Sequence, residues 1–137
     1  MTDFIVITLL TKKEYFRYKH IISLAGESWW LRSPDDCCSV YRVSGIGGQV
    51  YSNGCINDYS GVRPALYMSL VNQKSLKSGD NIRIGSRNFI VLSWEKDKLL
   101  ALCDKCIDKQ IFDAHSNQWS TSQLKQWLNT DGLKLIF

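Results

Sequence analysis

"WWLRSP", Trp29 to Pro34, sets two large aromatics beside an arginine, a serine and a proline, and "GVRPAL", Gly61 to Leu66, repeats the arginine–proline neighbourhood further along. Two readings of this pair compete. In one, Trp30 stacks on a ligand and Arg32 clamps an anion. In the other, Trp29 and Trp30 fill the core where a helix meets a sheet, while Arg32 and Arg63 hydrogen-bond loop carbonyls or carboxylates. An irregular segment must satisfy its backbone polar groups somehow, and the many donors of arginine suit that task. The second reading is preferred: the pair braces the fold.

Working outward, "FIVITLL" (Phe4 to Leu10) is a short apolar run rich in β-branched residues and reads as a buried strand. "TKKE", Thr11 to Glu14, is a capping box that opens a helix, with Tyr15, Tyr18 and Ile22 on its apolar face and a stop near Ser23 to Gly26. From Asp35 to Gly61 helix formers are scarce and Gly, Ser, Tyr, Asn and Cys dominate. Short strands fit Ser39 to Val43 and Gln49 to Ser52, joined by the glycine turn at 45–48. "VRPALYMSL" (62–70) reads as one more strand, with Pro64 marking an edge or a bulge. A polar bridge leads to "NIRIGSRNFIVLSWEKDKLLALC", a meander with turns at 85–87 and 95–98. "STSQ", Ser120 to Gln123, is a second capping box, with Leu124, Trp127 and Leu128 on one helical face. Two short helices and about seven short strands make an α+β domain.

Bulk properties exclude several classes. At 137 residues the chain fits one domain with a real core, and 45% hydrophobic against 22% charged residues is globular composition. The charge of +4 comes from scattered lysines, so no nucleic-acid stripe is expected. Asp3 precedes the apolar run and Lys12 and Lys13 follow it, the reverse of a signal peptide, and no stretch approaches a membrane span. A soluble, cytoplasmic chain is expected, with no membrane partner. Five cysteines are an odd number and argue against a closed disulfide framework. Cys103 and Cys106 form C-D-K-C, a redox pair or half of a zinc site on spacing alone. No second C-x-x-C and no paired histidines complete a tetrahedral site, since His20 and His115 lie far apart. The thiols therefore read as structural, and no metal or cofactor is expected. Asp35 and Asp36 beside Cys37 and Cys38 read as a solvated turn in preference to a cation site.

"LLTKKEYFRY", "WWLRSP" and "GVRPALYMSL" together resemble the C-terminal half of a family of uncharacterised bacterial and phage domains. That half is marked by a Leu-Leu-Ser/Thr-x-x-Glu-Tyr helix start, WWLRSP, a Gly-rich hairpin region and GVRPAL. "SGDNIRIGSRNFIVLSWEKDKLLALC" and "QWSTSQLKQWLN" resemble the N-terminal half of the same family, which opens on a Gly-x-x-Ile-x-Phe-Gly strand and closes on a W-x-x-S-x-L-x-x-W-L-N helix. The order is reversed here: 1–71 resembles the family's C-terminal half, 72–80 is a bridge, and 81–137 resembles the N-terminal half. The chain is thus a circular permutant forming one domain over 1–137, the tail of one copy joined to the head of the next, or an oligomer whose chains exchange halves. The short bridge favours the permutant. The family in turn resembles the C-type-lectin-like fold of formylglycine-generating enzymes and of retroelement-diversified variable proteins. That resemblance implies a short-stranded antiparallel sheet, paired terminal strands and a loop-rich insertion exposing a binding face, in the cytoplasm or in a phage particle. It implies a fold and not an activity.

The Tyr/Ser/Asn/Gly-rich stretch 35–61 has the composition of an antibody-like paratope. Its candidate ligand-binding residues are Tyr41, Arg42, Tyr51, Asn53, Asn57, Asp58 and Tyr59; the competing explanation is that hairpins need such residues for their turns. Residue types over Asn53 to Gly61 are those reachable from an adenine-rich asparagine codon by changing adenines, the manner in which retroelement-diversified proteins vary. Catalysis is not expected. A formylglycine-generating activity would need a reactive cysteine pair in a groove, whereas C-D-K-C follows ordinary strands, and no GxSxG or phosphate loop is present. The expected function is non-catalytic recognition of a protein or glycan ligand by the 35–61 face. Trp29, Trp30, Arg32, Arg63 and Trp127 would hold that face in place. The alternative is an assembly module forming homo-oligomers by exchange of halves, with a Cys103/Cys106 enzyme third.

Overall fold

The computed structural model describes residues 5–36, 38–69, 76–95 and 97–137. The segment before the 72–80 bridge carries β1 (Ile5–Thr8), α1 (Lys12–Tyr18), β2 (Trp29–Asp35), β3 (Ser39–Val43), β4 (Val50–Cys55), β5 (Ser60–Val62) and β6 (Ala65–Ser69). The segment after it carries β7 (Asn81–Ile84), β8 (Arg87–Glu95), β9 (Lys98–Cys103), β10 (Asp108–Gln110) and α2 (Gln123–Leu128). The strands form two five-stranded sheets, A in the order β1-β6-β9-β8-β7 and B in the order β10-β5-β2-β3-β4. The chain is α+β, mostly strands, and no helix among the described residues is long and apolar enough to cross a membrane. Both sheets are shared between the segments, through the β6–β9 and β5–β10 pairs.

Sheet A is covered on both faces, which is why β8 and β9 read as near-continuous apolar runs. On one face Leu66, Phe89, Val91, Leu99 and Ala101 join Leu124 and Leu128 of α2 in one cluster, with Trp127 packed against it. On the other, Ala65, Ile90, Leu92, Leu100 and Leu102 join Tyr15 of α1 in a second. The capping box of α1 forms as the sequence indicates. Glu14 N–H donates to Thr11 Oγ1 at 3.0 Å and Thr11 N–H donates to Glu14 Oε1 at 2.8 Å.

Two expectations are corrected, the single strand over 62–70 and the cap of α2. "WWLRSP" is β2, the middle strand of sheet B, and it meets α1 through Trp29 and Tyr15. Consecutive strand residues point to opposite faces, so Trp29 enters the cluster of Tyr15 and Leu31 while Trp30 enters that of Val40 and Phe112. Tyr15 meets Trp29 edge-on at 5.6 Å and Phe112 meets Trp30 at 5.7 Å. Both indoles are buried, contributing at most about 4–6 kcal/mol each by apolar area. The stretch 62–70 is not one strand. Proline lacks an N–H, so the ladder stops at Arg63 and Pro64 and the chain passes from sheet B into sheet A. The strands expected at 39–43 and 49–52 are β3 and β4, which build the 35–61 insertion into sheet B. Finally, α2 is capped by Ser122, whose Oγ accepts from Lys125 N–H at 3.0 Å, while Ser120 lies in the preceding 3-10 turn (Trp119–Thr121).

Arg63 sits at the crossing between the sheets and is fully buried. Its guanidinium donates to the carbonyls of Cys103 (2.7 Å), Ser23 (2.9 Å) and Asp104 (3.0 Å) and to Ser23 Oγ (3.1 Å). Its Cζ stands 5.0 Å from the Trp29 ring. Burial lowers its pKa below the ordinary arginine value. Gly61 beside it is required by contact: a Cβ there would lie 2.6 Å from Cys106 Sγ and 2.7 Å from the Ser28 carbonyl. Replacing Arg63 by Met strands those carbonyls, and urea denaturation is expected to show a loss of about 3–5 kcal/mol. Arg63→Lys should recover little of it, because one ammonium cannot reach three segments in the geometry of the planar fork.

Candidate functional site

Sheet B divides the sequence-predicted binding residues between its two faces. Tyr41 and Arg42 are neighbours on β3, so the pleat turns them apart. Tyr41 is half-buried; its hydroxyl donates to Asp35 Oδ1 at 3.1 Å and Lys12 Nζ lies 4.1 Å from its ring centroid. It packs against the Trp29 cluster and is removed from the proposed face.

Arg42 faces the other way. Its Cζ lies 5.1 Å from the Trp30 ring and 5.1 Å from that of Tyr51, the residue paired with it across β3 and β4. The side chain is 14% exposed, and Nη2 stands 4.0 Å from Asp58 Oδ2. Its Nε is buried without a hydrogen-bond partner. Asp58 belongs to the turn after β4 with Asn57 and Tyr59; all three are exposed, Tyr59 at 71%. Asn57 Oδ1 accepts from Cys55 Sγ at 2.8 Å. The side chain of Asn53, and Cys37 and residues 72–75 of the bridge, lie outside the described residues. Trp30 is fully buried, so it offers no platform to a ligand and instead supports Arg42.

Arg32 does not project as a free anion clamp. Its Nε donates to the Leu9 carbonyl at 3.0 Å, its N–H to that of Leu10 at 2.9 Å, and Nη2 lies 3.9 Å from Glu14 Oε1. The other carboxylate oxygen of Glu14 accepts from the Tyr67 hydroxyl. Burial, then the bond to Glu14, push the Tyr67 phenol up to about 12, against the opposing pull of Arg32. Sequence reasoning missed Tyr67. The available signal was a polar-tipped aromatic inside an apolar strand, which needs a partner when its hydroxyl is covered.

The C-D-K-C thiols are built for packing. Burial pushes Cys103 up, and burial with Glu27 nearby pushes Cys106 up to about 12. A reactive cysteine needs the opposite shift. Among the described residues no group of three or more His, Cys, Asp or Glu is arranged to hold a metal ion.

Residues 4–70 match a family described as a domain of unknown function, DUF6273. The match spans just under half of the chain and takes in Glu14, Arg32, Arg42, Arg63 and Tyr67. No curated protein and no solved structure matches the chain.

The site is fastened from the second segment. Asn117 Nδ2 donates to the carbonyls of Asp35 (3.2 Å), Asp36 (2.8 Å) and Ser39 (3.2 Å) and so fixes the tip of the β2–β3 hairpin, where Asp36 takes a φ of 35°. Asp113 organises the loop carrying Asn117, accepting from the N–H groups of His115 (3.0 Å), Ser116 (2.8 Å) and Gln123 (2.9 Å). Burial alone would raise its carboxyl, but those three donors hold it below the usual carboxylate range. Asn117→Ala is expected to cost about 1–3 kcal/mol in chemical denaturation. For Asp113 the folded pKa is depressed, so its contribution is present above the unfolded value of about 3.9 and is lost as pH falls through the folded value. Asp113→Asn should therefore be less stable than wild type at neutral pH. The gap should close below about pH 4 in denaturation curves taken across pH.

Proposed function

We propose that this chain is a non-catalytic recognition module with a C-type-lectin-like plan, binding a protein or glycan ligand through the Arg42–Tyr51 edge of sheet B and the turn after β4. The observation that carries the reading is Arg42, stacked between Trp30 and Tyr51 and adjoined by the exposed Asp58 and Tyr59. A guanidinium held between two rings loses little further freedom on binding, and an exposed tyrosine offers contact area at low entropic cost. The lectin-like plan is supported by the antiparallel pairing of β1 with β6, which brackets α1 and the β2 to β5 strands. On this reading the halves are permuted within one domain. The module works in the cytoplasm or in a phage particle, and the 53–61 turn is the segment a diversifying retroelement would vary.

Panning against a glycan array and a displayed peptide library tests the reading. A selected ligand should lose about tenfold in affinity to Tyr59→Ala, with the melting temperature unchanged because that side chain is exposed. Failure to select any ligand, or undiminished capture by the variant, defeats it. The second reading, assembly by exchange of halves, draws on the sharing of both sheets between the two segments. Light scattering that gives the mass of one chain across a concentration series removes it.

A further inference from the structure

The face of sheet A beneath α1 carries a groove of about 510 Å3 that the recognition reading does not use. Its size falls in the range of about 300–1,000 Å3 typical of small-molecule sites. Tyr18, Tyr67 and Leu100 give it apolar and aromatic surface. Lys13 and Arg17, one turn apart on α1, and Lys98 of β9 add three cations. Arg17 is further held by its own neighbour, Cζ lying 5.5 Å from the Tyr18 ring.

The acid in the groove does not cancel this charge. Glu14 lines it too, but its carboxylate already accepts from Thr11 N–H, Thr11 Oγ1 and the Tyr67 hydroxyl, with Arg32 at 3.9 Å behind it. The cluster is assembled by three separate stretches: Glu14 from "LLTKKEY", Arg32 from "WWLRSP" and Tyr67 from "GVRPALY". The first and third of those stretches line the groove, joined by a contact 53 residues apart in sequence, and Arg32 of the second braces Glu14 from outside the lining. A backbone-driven brace explains Arg63, but it does not explain a carboxylate, a phenol and a guanidinium gathered beside an open groove with cations around it.

We propose that this groove binds a small organic anion, a carboxylate or phosphate carried on a flat apolar body. The acid group meets Lys13, Arg17 and Lys98, and the body lies against Tyr18, Tyr67 and Leu100. Glu14, fixed by Arg32 and Thr11, holds the Tyr67 ring in place as a positioning residue. Ionic attraction supplies capture and the aromatic surface supplies selectivity for the body.

The test is a titration of the full chain, followed by calorimetry and by amide resonances, with benzoate, phenyl phosphate, inorganic phosphate and benzyl alcohol. Saturable binding of benzoate or phenyl phosphate is expected, with shifts confined to 11–18, 67 and 93–100. Inorganic phosphate, lacking the body, and benzyl alcohol, lacking the charge, should each bind about tenfold more weakly or not at all. The double variant Arg17→Ala/Lys98→Ala removes only exposed side chains and should keep the melting temperature while losing about tenfold or more in affinity. Tyr59→Ala, in the turn between β4 and β5, should bind as wild type does, so failure of this site and failure of the recognition face are separable. No saturable binding of either aryl anion, unchanged affinity in the double variant, or equal binding of inorganic phosphate or benzyl alcohol would each overturn the assignment.

Discussion

A buried guanidinium that makes no ion pair among the described residues constrains this fold more than any other group. Arg63 stands where the chain leaves sheet B for sheet A, and its donors are met by three carbonyls and the Ser23 hydroxyl, with the Trp29 ring against its Cζ and the charge of Asp104 favouring its cationic form. A desolvated cation is tolerable only if its donors are used, so the segments that supply the acceptors must sit in fixed relation. Those segments are the turn after α1, the end of β9 and the C-D-K-C bend. Gly61 tightens the same joint from the other side, against Ser28 and Cys106. The two cysteines are thus accounted for by packing: they occupy the crowded side of the arginine, where burial keeps their thiols protonated.

The two tryptophans of β2 distribute two arginines to opposite fates. Trp29 carries Arg63 at 5.0 Å and Trp30 carries Arg42 at 5.1 Å, near-identical stacking on opposite faces. What separates them is the remaining hydrogen bonding. Arg63 makes four bonds to fixed protein groups, whereas Arg42 has an unpartnered Nε and a loose ion pair with a side chain that is 55% exposed. A pair at 4.0 Å whose acid is half exposed is weak, about 0–1 kcal/mol for a fully exposed pair, so Asp58 is loosely held. The same stacking motif therefore serves stability on one side of the sheet and leaves a pre-oriented donor group on the other.

Local periodicity carried the reading of the meander: β7, β8 and β9 fall within the stretch it outlined, with turns close to 85–87 and 95–98. The capping box of α1 was equally readable, because Thr11 and Glu14 interact across a single turn. Sheet order was not. That Pro64 divides two sheets, that Tyr67 reaches Glu14 and that Asn117 reaches Asp36 depend on pairings between residues far apart, and no local pattern encodes them. The division of Tyr41 from Arg42 was within reach, since a strand at 39–43 with period two already separates neighbours. The strand reading of 39–43 held that consequence, but the list of binding residues follows composition and sets Tyr41 and Arg42 on one face.

Strand register also bears on the order of the halves. Ile5 is level with Met68, Leu99 and Trp94, whereas Ile136 closes on Ser86, beside the β7–β8 turn at the other edge and the other end of sheet A. Four strand spacings and about seven residues of strand separate them, roughly 30 Å. Joining the segments in the opposite order would need about nine or more extended residues. The join used here is shorter. From Ser69, level with Lys98, the chain must reach Ser78, which donates to the Leu92 carbonyl from the far side of β8, a span of roughly 17 Å. The eight residues 70–77 can cover about 26–29 Å. Eight residues exceed the number that span requires, and strained short hinges are what drive chains to exchange halves. The two ends of the join, Ser69 and Ser78, thus stand within reach of each other along the eight residues between them.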